Sequence, residues 1–207
     1  MAKFDSAIPY IQKAEGGLSR ATTDTASLHP SPWTYQGKTG WHTNRGITYQ
    51  TFVGMAPKVG YDISPENFFT MPDRIWLGIY KIGFWDPMPS DSLTSQAMAN
   101  AVVDFAWASG VGGATNQIKK WLYNTYKINA SSMSDIARAI NGLTAQNEKV
   151  VFESFINHRK NFFLSLNQPA NEKGWLARMD TLLNQGLQLV KDNPGTAVSG
   201  GFFLPSS

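Results

Sequence analysis

The chain contains no cysteine. Disulfide frameworks, iron–sulfur clusters, thiol nucleophiles and zinc–thiolate sites are therefore excluded together. Charge is scarce too, with 16% of the 207 residues being Asp, Glu, Lys or Arg against roughly a quarter in an average domain. No long stretch is free enough of polar groups to span a membrane, so no membrane insertion is expected. The opening MAKFDSAIPYIQKAEGG has neither an apolar central region nor a small-residue cleavage site, and does not read as a signal peptide. His29, His42 and His158 have no metal-ligand spacing, and no HExxH, GxSxG or P-loop pattern is present. Neither a metal nor a cofactor is expected.

Apolar material is abundant. Hydrophobic residues make up 42% and aromatics 13%, including seven Trp, which is enough to fill one sizeable core and excludes intrinsic disorder. The net charge of +3 is a mild basic excess. Its Lys and Arg are scattered, the longest runs being pairs such as Lys119-Lys120 and Arg159-Lys160. A nucleic-acid binder shows a clustered basic stripe, so no nucleic-acid partner is expected. Weak attraction to an anionic polymer such as a cell wall is compatible with the charge.

Length predicts about one domain, taken as 1–192 with lobes 1–90 and 91–192. Residues 193–207, NPGTAVSGGFFLPSS, read as a Gly/Ser-rich tail. Helical period dominates. Helices are predicted over 5–15 (capped by Asp5 or Ser6, with Pro9 in the first turn), 65–70, 72–84, 95–109, 114–126, 145–166 and 174–191. Gly110–Gly113 reads as a turn between two of them. The last helix places Trp175, Met179, Leu182, Gly186 and Val190 in register. Segment 18–50 lacks helical period, and its pieces around Trp33-Tyr35 and Trp41-Thr43, split by residues 36–40, predict a small hairpin or long loop. The class is mainly α with a small β or loop insertion near the N-terminus.

Phe4, Ile8 and Ile11 are spaced by four and three, and the next position on that stripe is Glu15, just before Gly16-Gly17. Desolvation and the negative end of the helix dipole would both raise the pKa of such a carboxylate. A protonated Glu near neutral pH is what general-acid cleavage of a glycosidic bond requires. The plainer reading is a terminal-turn Glu that reaches solvent or pairs with Lys13 or Arg20. Trp33, Tyr35 and Trp41 offer flat faces for sugar stacking, and Thr43, Asn44 and Arg45 offer short polar groups or charge. Asp24 is the carboxylate between Glu15 and the hairpin that could act as a second catalytic group, or be an ordinary turn residue. Asp104, among Val102, Val103, Phe105 and Ala106, reads first as a buried hydrogen bonder or a helix-surface residue.

Lys13-Ala14-Glu15-Gly16-Gly17-Leu18, followed by Thr43-Asn44-Arg45-Gly46-Ile47-Thr48, resembles glycoside hydrolase family 108. These are N-acetylmuramidases of phage and bacterial origin, with an E-G-G-aromatic motif and a T-N-x-G-I-T motif. Val103–Val111 is similar to the family's D-F-A-V-N-S-G-V segment, and Gly174-Trp175-Leu176-Ala177-Arg178 to its late G-W-x-x-R signature. Leu18 stands where the family has an aromatic, Trp107-Ala108 where it has V-N, and segment 28–41 replaces its D-x-G-G stretch. The resemblance implies a lysozyme-like helical fold and cleavage of the β-1,4 bond between N-acetylmuramic acid and N-acetylglucosamine. It makes Glu15 the expected proton donor, while a looser similarity to phage lysozymes, with their Glu, Asp, Thr order at the active-site hairpin, makes Asp24 and Thr43 further catalytic candidates, Thr43 helping to hold a water. Trp33, Tyr35, Trp41, Asn44, Arg45 and Trp107 are the substrate-binding candidates.

Peptidoglycan glycan strands are thus the expected partner of a monomer, with a predicted peptidoglycan-binding region in the second lobe. The protein would be made in the cytoplasm of a bacterium or infected host and reach the wall by release or export. Two alternatives stand beside this reading. One is a lytic transglycosylase, which needs no second carboxylate; the other is a non-catalytic wall-binding or phage structural protein.

Overall fold

The computed structural model describes residues 1–14, 16–20, 34–39 and 42–192. Its architecture is mainly α with short antiparallel strands near the N-terminus, as the periodicity predicts. The chain forms two compact units, Phe4–Pro87 and Met88–Ser207, the latter joined by Met1–Lys3.

The first unit opens with helix α1, Phe4–Ala14. It starts one residue before the predicted span, so Pro9 falls in its second turn and not its first. There the missing N–H leaves the Asp5 carbonyl without its helical donor. Ala7 is buried, and the Phe4 ring meets Trp85 edge-on at 5.4 Å.

Among the described residues, five two-residue strands follow: β1 Leu18–Ser19, β2 Thr34–Tyr35, β3 Lys38–Thr39, β4 Thr43–Asn44 and β5 Ile47–Thr48. They form an antiparallel sheet of order β1-β4-β5 and a separate β2–β3 hairpin. The single hairpin predicted from 33–35 and 41–43 is therefore two. The reason is turn chemistry. Gln36-Gly37 and Arg45-Gly46 have φ of 50°, 74°, 47° and 77°, the two positive values each that a tight hairpin turn of matching twist demands. Closure at 36–37 ends the first hairpin at Thr39 and leaves Thr43 to pair elsewhere.

Helix α2, Tyr49–Met55, is capped by the Thr48 hydroxyl, which accepts from the Thr51 N–H at 3.1 Å. Helix α3, Pro65–Phe69, takes Ser64 as its cap and Pro at its first position, where a missing N–H costs nothing. Helix α4 spans Asp73–Tyr80 and widens into a π-type turn over Lys81–Trp85, so the helix predicted over 72–84 has two parts. Phe52, Phe68, Ile75, Trp76, Ile79 and Trp85 are buried at the centre.

The second unit packs three long helices pairwise: α5 Gln96–Tyr126, α6 Met133–Ser165 and α7 Pro169–Asp192. The turn predicted over 110–113 shrinks to one residue, Gly110, at φ 72° and ψ 155°. Gly112 and Gly113 stay helical at a propensity cost of about 1 kcal/mol each. In α6 the backbone leaves helical geometry at Asn147, whose side chain accepts from the Val150 N–H and restarts the helix. Ser132 and Asp135 form a reciprocal capping box at the head of α6. Phe105, Ile118, Trp121, Phe152, Phe155 and Met179 are fully buried among these helices. Among the described residues, no helix is long and apolar enough to cross a membrane.

Candidate active site

The E-G-G and T-N-x-G-I-T segments lie 26 positions apart in sequence and are held together by the three-stranded sheet. Strand β1, which begins three residues after Glu15, pairs antiparallel with β4: Leu18 opposite Asn44 and Ser19 opposite Thr43. The pairing extends at both ends. The His42 N–H donates to the Ser19 carbonyl at 3.2 Å, and the Arg45 N–H donates to the Gly17 carbonyl at 3.0 Å. Strand β5 closes the other side, with Thr48 opposite Thr43. Gly17, two residues after Glu15, thus meets the turn that follows the strand carrying Thr43 and Asn44.

Thr43 is 9% exposed, and its Oγ1 has no hydrogen-bond partner among the described residues. A buried hydroxyl left without a partner destabilises a fold by about 1–3 kcal/mol, so its retention calls for another reason. Asn44 is differently placed. Its Nδ2 donates to the carbonyls of Phe68 at 2.7 Å and Phe69 at 3.3 Å. Those are last-turn carbonyls of α3, which a helix of five residues cannot satisfy itself. Asn44 thus serves as the C-terminal cap of α3. Tyr35 stacks on the Phe69 ring at 4.4 Å, and Arg20 donates to the Thr39 carbonyl, tying β1 to the β2–β3 hairpin.

Arg45 is bound on every side. Its guanidinium donates to the Asp73 carboxylate and to the Met71 carbonyl, and lies 5.7 Å from the centre of the Trp76 ring. Its own carbonyl accepts from the Trp76 indole N–H at 2.9 Å. Asp73 and Trp76 are neighbours of this candidate residue that the sequence does not single out. Asp73 sits in the first turn of a predicted helix, where an acid is commonplace.

Glu15, Asp24, Trp33 and Trp41 lie outside the described residues. Trp107 is half-buried on α5 in the second unit. Three residues earlier on that helix, Asp104 accepts from Arg159 through one carboxylate oxygen at 2.7 Å and from Arg178 through the other. Burial alone would raise the Asp104 pKa, but the two guanidinium groups outweigh it and hold the carboxyl below its ordinary value. Asp104 is therefore the buried hydrogen bonder anticipated from its apolar neighbours. His158, on α6, is pushed down by burial, with Lys120 adding to the effect. Among the described residues, no cluster of three His, Asp or Glu side chains could hold a metal ion.

A family model described as Glycosyl hydrolase 108 matches residues 8–110. Those residues hold the whole sheet, α2–α4 and Asp104. A solved structure titled "Structure of Brucella abortus SagA" is similar, with a TM-score of 0.66 and 19% identity. The match covers 92% of this chain and 97% of that one, and at this identity it is a likeness of fold. No curated protein shows significant similarity to the chain.

Proposed function

The chain belongs to glycosyl hydrolase family 108, and from that premise we propose that it cleaves peptidoglycan at the β-1,4 bond between N-acetylmuramic acid and N-acetylglucosamine. Glu15 protonates the leaving glycosidic oxygen while the sugar develops oxocarbenium character. Asp24 or a neighbouring polar group stabilises that charge, and the Thr43 hydroxyl holds the water that completes hydrolysis. Trp33, Tyr35 and Trp41 present ring faces to the sugars, and the second unit, with Trp107, binds the wall. The protein acts as a monomeric endolysin on the wall after release or export.

The observation that supports this reading best is the β1–β4 pairing, which sets Leu18-Ser19, three and four residues after Glu15, against Thr43-Asn44. A general acid and a water-holding hydroxyl must act on opposite sides of one bond, which requires that their segments be fixed to each other. The test is mass spectrometry of purified peptidoglycan digested by the wild type and by Glu15→Gln in parallel. Reducing muramic ends from the wild type alone are expected. Anhydro-muramic ends would make it a lytic transglycosylase, and intact glycan from both proteins would leave a binding module.

A further inference from the structure

Arg45 occupies a position that its residue type does not favour. It is the first residue of a two-residue turn, at φ 47°, where Asn, Asp or Gly is the usual choice and a long side chain is strained. A residue kept against its local preference points to contacts elsewhere that hold it there. Those contacts join three parts of the unit. The backbone N–H reaches the carbonyl of Gly17, the last residue of E-G-G, the backbone carbonyl takes the Trp76 indole N–H, and the guanidinium binds Asp73 and the Met71 carbonyl.

Stability alone does not account for this. Asp73 is 72% exposed, and an ion pair so open to solvent contributes little. Direct substrate binding fits poorly too, because the guanidinium is already engaged on two sides and lies beside Trp76. What the contacts do is fix the turn, and with it β4 and the Gly17 end of β1, to the start of α4.

We infer that Arg45 is a positioning residue for glycan hydrolysis: its clamp on Asp73, Met71 and Trp76 holds the Thr43 strand and the segment after Glu15 in working register. This rests on the hydrolase reading above. It also moves Arg45 from the sugar-contact set, where its charge had suggested it, to the support beneath the site.

Three variants separate the possibilities. Arg45→Asn keeps a residue that accepts positive φ while removing the guanidinium. Asp73→Asn releases the clamp from the other side, and Arg45→Lys restores charge but not the two-pronged geometry. Each is assayed for kcat and KM on purified glycan strands, and for amide hydrogen exchange at residues 42 and 45, whose N–H groups bond to β1 and Gly17.

Arg45→Asn should lower kcat at least about tenfold, with KM held within about twofold and faster exchange at both amides. Asp73→Asn should move both readouts the same way by less, and Arg45→Lys should recover part of the loss. A raised KM with unchanged kcat would make Arg45 a substrate contact and overturn the inference. So would a fall in kcat with unchanged exchange, or no change in either. If the wild type leaves glycan intact, the hydrolase reading fails by itself. Exchange then decides the clamp: faster in Arg45→Asn upholds it, and unchanged overturns it.

Discussion

Arg178 donates two hydrogen bonds to a single carboxylate oxygen of Asp104, from Nε at 2.9 Å and Nη2 at 2.6 Å, across 74 residues of chain. Arg159, fully buried, takes the other oxygen at 2.7 Å and gives a further hydrogen bond to the Ala101 carbonyl at 3.0 Å. One carboxylate therefore joins α5, α6 and α7. It also links two motifs that are distant in sequence: the D-F-A segment, inside the residues matched by the family model, and G-W-x-x-R, beyond them. The Trp175 ring of the second motif stacks on Phe163 at 5.2 Å, and Arg159 lies 6.0 Å from the centre of the same Phe163 ring.

Removing Asp104 should be among the most damaging single changes in the second unit. Asp104→Ala leaves the guanidinium of Arg159 buried without its counter-charge, a defect that costs about 3–5 kcal/mol. Arg159→Met in the same chain should restore much of the loss, since the uncompensated charge goes with it. Urea unfolding of the single and double variants measures both. Equal midpoints for wild type and Asp104→Ala would show that the network contributes nothing.

The same network and His158 set the response to acid. A half-buried His with a lowered pKa favours the neutral form, so its stabilisation is complete above the ordinary value of 6.5 and is lost as pH falls from there toward the folded pKa. Asp104, lowered in the fold, contributes stability that is complete above its ordinary 3.8 and is lost as pH falls further. Two separate declines are expected in a plot of unfolding midpoint against pH. His158→Gln should flatten the first, and Asp104→Asn should reduce the second, which it shares with Asp135, held low by the hydroxyls and N–H groups of Ser131 and Ser132; a variant that leaves its decline unchanged removes that residue as a cause.

Close packing of α6 on α7 depends on a missing side chain. A Cβ at Gly186 would overlap the Phe152 Cζ, and Phe152 is fully buried, so a ring that gave way would have to displace packed neighbours. Gly186→Ala should therefore destabilise by about 3 kcal/mol through overpacking. Phe152→Leu combined with Gly186→Ala should be more stable than Gly186→Ala alone. Thermal unfolding of Gly186→Ala, Phe152→Leu and the double variant tests this; additive losses would mean that the two sites do not meet.

Gly186 also illustrates what could be read in advance. The sequence placed it in register with Trp175, Met179, Leu182 and Val190, and the last three are buried as that spacing requires. Long apolar stripes are legible because many residues repeat one signal. The first half of α6 is weaker: Ile136 and Ile140 are buried one turn apart, but Ala137 and Thr144 share the buried positions with almost no hydrophobic contrast, and the stripe is too short to stand out. The sheet was harder still. Its strands are two residues long, too short to show alternation, and the Arg45-Gly46 turn is hidden by an arginine where turn preference expects Asn or Asp. The E-G-G and T-N-x-G-I-T motifs were visible, but their meeting depends on backbone pairing that no side chain announces. The role of Asn44 was obscured for a similar reason: an amide can bind a sugar or cap a helix, and only the nearness of the Phe68 carbonyl decides.

That cap gives a prediction with a definite order. Asn44→Ala should cost about 1–2 kcal/mol by leaving the α3 carbonyls without their donor. Asn44→Asp should cost more, because a buried carboxylate would face two carbonyl oxygens with no proton to share. Midpoints in urea at pH 7 rank the two. If Asp is tolerated as well as Ala, the Phe68 and Phe69 carbonyls do not depend on residue 44.

Thr43 should separate stability from activity. Its Oγ1 is buried with no hydrogen-bond partner among the described residues, so replacing it by a methyl removes a desolvated hydroxyl and keeps the shape of the side chain. Thr43→Val should then be as stable as the wild type or gain up to about 1 kcal/mol. Under the proposed hydrolysis it should lose at least about a hundredfold in kcat, because the water it holds is no longer fixed. Thr43→Ser, which keeps the hydroxyl, should retain most activity while losing a buried methyl. A stable Thr43→Val with full activity would take Thr43 out of the mechanism. A destabilised one would instead mean that the hydroxyl is spent on the fold.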